Sequence, residues 1–398
     1  MKTLQEHLDP TTPKRILALD GGGIRGALTL GYLKRIEDVL QKQHDNDPEF
    51  RLCDYFDLIG GTSTGSIIAS CLAIGMKVEK ITEMYMELGS KIFARKYKWW
   101  NIFETGDFLK GSYDAAPLEK ELQNVFGQIT LESDKIRTGL CIVAKRADTN
   151  SVWPLINHPK GKYYNSVDGT NKDIPLWKAV RASAAAPTYF IPQIIDVGGG
   201  LKTAAFVDGG VSMANNPSLQ LLMVATLKGF PFRWEMGADN ILLVSLGTGM
   251  SKWQKIPVKV SKSNLLDWAK EIPDMLMQDA SWNNQAILQW LSNCDTRWSI
   301  DGEVGDLADD LITNDPDKKG LLTYLRYNLW LDAATLKQLM NKDYTAKEID
   351  DLVEMSNADS RQELYKIGEA GAKSGAIVND VIAATIVKEN HFPNKFKL

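Results

Sequence analysis

Residues 55–76 have the sequence YFDLIGGTSTGSIIASCLAIGM, and this stretch decides the fold class. Its apolar start, residues 55–59, is followed by a Gly, Ser and Thr-rich turn at residues 60–65. A continuous apolar segment with small residues then runs over residues 66–76. This order predicts a buried strand, a tight turn and a helix. The stretch is therefore typical of one unit of an α/β protein.

The same strand–turn–helix order occurs upstream. The apolar run RILAL at residues 15–19 leads into Asp20 and three glycines, and a helical spacing of apolar residues follows over residues 27–43. Further strands are predicted at 137–144, 205–207 and 241–246. Such units in series predict an α/β sheet covered by helices. In open sheets of this kind, ligands bind beyond the carboxyl ends of the strands.

Composition describes an ordinary globular chain. Its 398 residues are 44% apolar and 24% charged, and 46 Lys and Arg against 50 Asp and Glu give a net charge of −4. These values exclude disordered, collagen-like and disulfide-rich classes, and they argue against a strongly basic nucleic-acid binder. We predict one α/β core over roughly residues 14–250. Residues 251–398 are predicted to be mostly helical and to pack on that core or cap it.

Cysteine usage and hydropathy indicate the compartment. The four cysteines form no C-x-x-C pair and no zinc-like spacing, so we expect reduced thiols. Residues 1–15 lack the apolar segment of a secretory signal, and no apolar run approaches ~18 residues. We therefore expect a soluble, cytoplasmic protein that meets membranes only peripherally. The aromatic run at residues 97–103 is either a bilayer contact or, as is more usual for Trp, part of the packing.

The turn Gly61-Thr62-Ser63-Thr64-Gly65 has the G-x-S-x-G pattern of a nucleophile elbow, in the strand-to-helix context that an elbow requires. A sharp turn lifts the serine hydroxyl above the sheet, and the following helix start favours developing negative charge. The alternative is a turn without chemistry, since the pentapeptide alone is common. The context favours Ser63 as a nucleophile.

The segment after the first strand, DGGGIRG at residues 20–26, allows two interpretations. Gly21, Gly23 and Gly26 match G-x-G-x-x-G, so a dinucleotide- or phosphate-binding loop is one hypothesis. That hypothesis expects an acidic residue at the end of the next strand, where this sequence has the serine turn instead. The backbone N–H groups of Gly21, Gly22 and Gly23, with Arg25 nearby, are equally suited to holding an oxyanion.

A serine nucleophile needs a base. The four histidines lie near the termini or in polar, loop-like segments: His7, His44, His158 and His391. Only His158, which precedes Pro159, is kept as a reserve base. Asp208 instead ends an apolar strand and is followed by Gly209 and Gly210. A carboxylate acts as a base when its surroundings raise its pKa and it touches the hydroxyl. A simple turn cap is the alternative role for Asp208.

Together, the three motifs at residues 20–26, 61–65 and 208–210 resemble the patatin-like phospholipase family. Its marks are D-G-G-G-x-[RK]-G, G-x-S-x-G and D-G-[GA] in that order, and residues 54–65 and 182–190 are also similar. The likeness covers roughly residues 14–250. It implies a three-layer α/β/α fold without metal or cofactor. The motif residues that support the turns are Gly26, Gly61, Gly65, Gly209 and Gly210.

The resemblance implies a lipid acyl hydrolase, a serine esterase of the phospholipase A or lysophospholipase type. Ser63 is then the nucleophile and Asp208 the base of a catalytic dyad, and the Gly21–Gly23 amides with Arg25 form the oxyanion hole. Its partner is a phospholipid or other glycerolipid, with no nucleic acid expected. The alternatives are a nucleotide-binding module and a non-catalytic lipid binder. Some bacterial relatives respond to a cyclic nucleotide, and the sequence leaves such control, the headgroup and the oligomeric state open.

Overall fold

A computed structural model describes residues 2–11, 13–92, 115–187, 189–198, 203–252 and 256–397. The strands within these residues are β1 (Lys14–Leu19), β2 (Leu58–Thr62), β3 (Gly139–Arg146), β4 (Ser151–Ile156), β5 (Gln193–Asp196), β6 (Thr203–Asp208), β7 (Ile241–Leu246), β8 (Thr323–Tyr327), β9 (Ala376–Val378) and β10 (Val381–Ala384). The α-helices are α1 (Leu4–Leu8), α2 (Gly26–Gln43), α3 (Leu52–Tyr55), α4 (Thr64–Ala73), α5 (Val78–Ile92), α6 (Ala116–Phe126), α7 (Leu176–Ser183), α8 (Ser218–Thr226), α9 (Pro257–Val260), α10 (Leu265–Trp290), α11 (Ala333–Met340), α12 (Ala346–Val353) and α13 (Arg361–Ser374).

Eight of these strands form one mixed sheet. Seven follow the order β5-β6-β3-β2-β1-β7-β8, and β4 also pairs with β3. The central strands β3, β2, β1, β7 and β8 are parallel. Their carboxyl ends therefore lie along one edge of the sheet, as the sequence analysis expected.

Helices cover both faces of the sheet. Along β1, Leu17 and Leu19 belong to one apolar cluster, whereas Ile16 and Ala18 belong to a second. Strands β3 and β7 alternate in the same way, because successive side chains of a strand point to opposite faces. Helices α2, α4 and α7 contribute to the first cluster, and α1, α8 and α10 to the second. The architecture is the predicted three-layer α/β/α sandwich.

Strand β3 brings two other strands end to end. Residues 141–143 of β3 pair with β4 and with β2, and residues 144–146 pair with β4 and with β6. Each strand has two edges, so β2 and β6 must share the edge opposite β4. Strand β2 runs parallel to β3 and β6 antiparallel, and their carboxyl ends therefore meet head to head.

The chain after residue 250 completes the core. Strand β8 pairs with β7 and extends the sheet. Helix α13 lies directly on α2, where Gly31 and Gly368 let the two backbones touch: a Cβ on Gly368 would overlap the Leu28 carbonyl. This part of the molecule thus supplies both a strand and an outer helix layer.

The sequence predicted β1, β6 and β7 within about two residues, but three details differ. The strand expected from Tyr55 begins only at Leu58, because residues 52–55 form α3. The first turn of α3 is capped by Asp54 Oδ2, which accepts the Arg51 N–H at 2.8 Å. Residues 60–62, expected in the turn, belong to β2. Strands β8, β9 and β10 were not predicted within the helical region.

The described residues bear on one of the two expectations about membranes but not on the other. Among the described residues, no helix combines the length and the apolar character needed to cross a bilayer. The aromatic run at residues 97–103 lies outside the described residues, so its contact with a bilayer stays a prediction.

Candidate active site

Ser63 occupies a strained turn between β2 and α4. Its backbone has φ 53° and ψ −123°, a combination that residues other than glycine rarely adopt. Such strain persists only where neighbours over-determine the conformation. Here the Ser63 N–H donates to Ser183 Oγ at 2.9 Å, and the Ser183 hydroxyl donates to the Val143 carbonyl at 2.6 Å. The turn is therefore fixed against β3 and α7.

Glycines let this turn close. A Cβ on Gly61 would overlap the backbone of Gly65, and a Cβ on Gly65 would overlap the carbonyl oxygen of Leu19. Both overlaps are with backbone atoms, so a change of side-chain rotamer cannot relieve them. The G-x-S-x-G spacing thus reflects direct backbone contact between β1, β2 and the start of α4.

Asp208 lies at the point where β6 meets β2. Thr62 is paired with Val143, so Ser63 is level with Ala144, and Ala144 is the β3 partner of Asp208. The Ser63 side chain comes close enough to the Asp208 carboxylate to lower the pKa of that carboxyl. The same carboxylate accepts the Gly210 N–H at 2.7 Å. Register alone therefore places the two side chains together.

The surroundings of Asp208 favour its protonated form. Asp208 is buried, and burial raises the pKa of its carboxyl to about 6, although the hydrogen bonds from Ser63 and Gly210 act in the opposite direction. A carboxylate with this pKa is ionised at neutral pH and still able to take a proton.

The histidines all have their contacts elsewhere. His7 bonds Asp57 at 2.9 Å, His391 bonds Tyr327 at 2.7 Å and His44 bonds a carbonyl at 2.6 Å. His158, the reserve base, follows β4, whose Ile156 is level with Cys141 near the amino end of β3. It is thus ~10 Å or more from the level of Ser63 along the sheet. Burial also lowers the pKa of His158 to about 4.

The glycine-rich loop is fixed peptide by peptide. The N–H of Gly21 donates to the Asn215 carbonyl at 3.0 Å, and the Gly21 carbonyl accepts from Thr248 Oγ1 at 3.1 Å. Thr248 also fills the space beside Gly22, where a Cβ would overlap its side chain. Because a peptide group is planar and trans, holding the Gly21 carbonyl makes the Gly22 N–H point the opposite way.

The next two peptides are held similarly. The Gly22 carbonyl accepts the Arg25 N–H at 3.2 Å, which turns the Gly23 N–H away. The Gly23 carbonyl accepts from Tyr85 Oη at 2.5 Å. The N–H of Ile24, which belongs to the same peptide group, donates to the Met355 carbonyl at 2.8 Å. Gly23 has φ 56°, so it needs the conformational freedom of glycine.

Two donors of this loop stay free. In the described part of the chain, the N–H groups of Gly22 and Gly23 have no hydrogen-bond partner, whereas that of Gly21 is occupied. The loop lies beside the nucleophile turn, since a Cβ on Gly21 would stand 3.3 Å from Ser63 Cβ. Of the predicted Gly21–Gly23 donors, the geometry leaves Gly22 and Gly23 available.

Arg25 faces acidic side chains. Burial lowers the pKa of its guanidinium, and the nearby carboxylates of Asp274 and Glu354 act in the opposite direction. Its Nε atom is buried without a hydrogen-bond partner among the described residues. The predicted part of Arg25 in an oxyanion site stays a prediction.

Several residues of the site were not predicted. Ser183 lies within the similar stretch at residues 182–190, and Thr248 lies in a Gly-Thr-Gly turn after β7, so both had weak signals in the sequence. Tyr85 and Met355 had none, because only the fold brings them to the loop.

Comparison with protein families decides the relationship. The family model described as patatin-like phospholipase matches residues 17–222, just over half of the chain. The chain belongs to the patatin-like phospholipase family. Three of its relatives are Patatin-like protein 4 of Arabidopsis thaliana (29% identical over 64% of this chain), a cGAMP-activated phospholipase of Escherichia coli strain TW11681 (28% over 62%) and Patatin-1-Kuras 2 of Solanum tuberosum (30% over 67%).

The similarity to these family members is partial. The match covers 64% of the Arabidopsis protein and 65% of the E. coli protein, less than two thirds of each, and 72% of the potato protein. Solved structures that match this chain include human GIVD cytosolic phospholipase A2, with a TM-score of 0.43, 12% identity and coverage of 92% of this chain and 60% of that one. VipD from Legionella pneumophila has a TM-score of 0.33, 13% identity and coverage of 89% and 67%.

Proposed function

We propose that this chain is a serine acyl hydrolase that cleaves carboxylic esters of glycerolipids. The observation that carries the proposal is the close approach of the Ser63 side chain to the buried Asp208 carboxylate, at the head-to-head junction of β2 and β6. Membership in the patatin-like phospholipase family supports a lipid substrate.

The proposed reaction has two half-reactions. Asp208 accepts the Ser63 hydroxyl proton while Oγ bonds to the ester carbonyl carbon, which gives a tetrahedral oxyanion. The carbon–oxygen bond to the glycerol moiety breaks, and that oxygen leaves with the proton from Asp208. Water then attacks the acyl-serine, again losing a proton to Asp208. Fatty acid departs and the proton returns to Ser63 Oγ.

The oxyanion is proposed to bind the free N–H groups of Gly22 and Gly23. Both donors belong to peptides whose carbonyls are already held, so little rearrangement is needed when charge develops. The N–H of Thr64, which follows the nucleophile and has no partner among the described residues, is suited to the same task.

Exposed apolar residues near Asp208 in the sequence support an apolar substrate. Val211 and Met213, just after the Asp208 turn, are 49% and 60% exposed. Exposed apolar side chains beside a reactive group are typical of a site that meets an apolar ligand.

A fluorophosphonate probe tests the proposal directly. We expect the parent protein to be labelled and to release fatty acid from phosphatidylcholine vesicles. Ser63→Ala should lose both properties while its thermal unfolding is unchanged, and Ser166→Ala, which alters an exposed loop serine, should keep them. Asp208→Asn should lower release by ~10⁴-fold or more, by analogy with loss of other essential bases.

His158→Ala is the matched control for the base. It removes the reserve candidate without touching the Ser63–Asp208 contact, so full activity is expected. A dead His158→Ala variant together with an active Asp208→Asn variant would refute the dyad.

A further inference from the structure

Asp20, the residue that precedes the three glycines, forms a buried ion pair with Arg326. Arg326 Nη1 lies 2.9 Å from Asp20 Oδ1, and Nη2 lies 2.6 Å from Oδ2. Asp20 and Arg326 are 5% and 2% exposed, respectively. Arg326 Nη1 also donates to Ser245 Oγ at 2.6 Å. Ser245 is level with Arg326 in the sheet, so the arginine on β8 crosses β7 to reach the end of β1.

Stability alone does not explain such a pair. Removing two charges from water costs free energy that their attraction often fails to repay, and apolar residues of similar volume are frequently as stable or more stable. The two parallel hydrogen bonds instead give directional control, because a guanidinium fixes a carboxylate in both distance and plane. The residue that Arg326 fixes, Asp20, is the first residue of the glycine-rich segment at residues 20–26.

We infer that Arg326 is a positioning residue: through Asp20 it sets the loop so that the Gly22 and Gly23 N–H groups face the reacting ester. This inference rests on the proposed function. Three glycines impose no shape of their own, so the loop takes its shape from its anchors. Thr248, Tyr85 and Met355 hold the peptides that follow. Where the loop leaves β1, the Asp20 N–H donates to the Leu246 carbonyl at 3.0 Å, and the ion pair fixes the Asp20 side chain.

Arg326 also limits protonation of Asp20. Burial raises the pKa of the Asp20 carboxyl, and the guanidinium acts in the opposite direction. Without Arg326 the buried carboxyl would take up a proton, and its oxygens would lose the two hydrogen bonds that fix them. Loss of Arg326 alone should therefore impair turnover about as much as loss of both partners together.

The test compares two buried ion pairs. Arg326→Met, Asp20→Asn and the double variant remove the pair at the loop. Arg15→Met is the matched control, because Arg15 and Asp57 form a buried pair of the same type at the opposite end of the sheet. Each variant is assayed for kcat and KM on a soluble p-nitrophenyl ester, for inhibition by a trifluoromethyl ketone and for thermal unfolding. Ser63→Ala reports whether the parent activity is that of the proposed site.

We expect Arg326→Met to lower kcat by ~10²-fold with KM nearly unchanged, and to weaken the ketone in parallel, because the ketone mimics the tetrahedral state. The double variant should lose about as much as Arg326→Met, because both leave an uncharged side chain at position 20 without its anchor. Arg15→Met should unfold at lower temperature yet keep kcat. Equal kcat in Arg326→Met and Arg15→Met would overturn the inference, whereas an inactive parent, or an active Ser63→Ala, would instead overturn the proposed function.

Where Arg326→Met does not fold, Arg326→Lys keeps the charge but loses the paired hydrogen bonds. A lower kcat with an unchanged KM supports positioning. A kcat equal to that of the parent overturns it.

Discussion

At the scale of single residues, the chemistry of the site depends on how burial changes Asp208. Burial raises the pKa of this carboxyl to about 6, while its hydrogen bonds from Ser63 and Gly210 keep the rise within a useful range. A fully exposed Asp would be a weak base, and an uncompensated buried one would stay protonated at neutral pH. Asp208 lies between these limits.

This balance predicts the pH dependence of hydrolysis. Under the proposed mechanism, Asp208 acts as the base only when ionised, so kcat/KM should be low when Asp208 is protonated and should rise with pH through a midpoint near 6. The measurement is kcat/KM on a soluble ester between about pH 4 and pH 8. His158→Ala should show the same midpoint, since the pKa of His158 is about 4 and it lies at the other end of the sheet. A midpoint at the ordinary pKa of Asp would contradict the assigned role.

At the scale of elements, the elbow depends on contact between β1, β2 and the start of α4. Gly65→Ala would place a methyl group on the Leu19 carbonyl oxygen, which cannot move without disturbing β1. We expect a loss of ~2–4 kcal/mol in the free energy of unfolding, at the upper end of overpacking effects. Gly229→Ala is the control, because nothing lies within 4 Å of its new methyl group. Urea unfolding of both variants measures the two free energies of unfolding. Equal values would contradict the close approach of Gly65 to the Leu19 carbonyl oxygen.

Elements also show how far the sequence predicts this fold. Strands β1 and β7 are buried on both faces and are mostly apolar, so pattern alone located them. Strand β8, TYLRY, is interrupted by Arg326, whose charge is neutralised only by Asp20 at a distance of 306 residues. No local pattern reveals that partner. The motif residues of the site were visible in the sequence, whereas the anchors of the loop required the fold.

At the scale of the whole molecule, the part of the chain after residue 250 packs on the sheet and contacts the glycine-rich loop of the candidate site. It supplies β8, the Arg326 partner of Asp20 and the Met355 carbonyl that holds the loop. The family model matches residues 17–222 and thus covers the motifs but not these supports.

A chain shortened to residues 1–250 should therefore fail to fold. It would expose one side of β7, leave Asp20 without its cation and uncover α2 where α13 lies. We expect aggregation, no cooperative unfolding and no fluorophosphonate labelling, because unpaired strand edges and apolar faces promote association. A soluble fragment that unfolds cooperatively and takes up the probe would show that residues 251–398 are dispensable.

The head-to-head meeting of β2 and β6 has a consequence for folding experiments. Ser63 and Asp208 approach each other along the strand direction, so a slip of one residue would move them apart by ~3.3 Å and turn one side chain to the opposite face. Under the proposed mechanism, only molecules with native register on both strands can react. During refolding, the fraction labelled by a fluorophosphonate therefore counts chains with correct strand alignment, which circular dichroism cannot distinguish from misaligned ones.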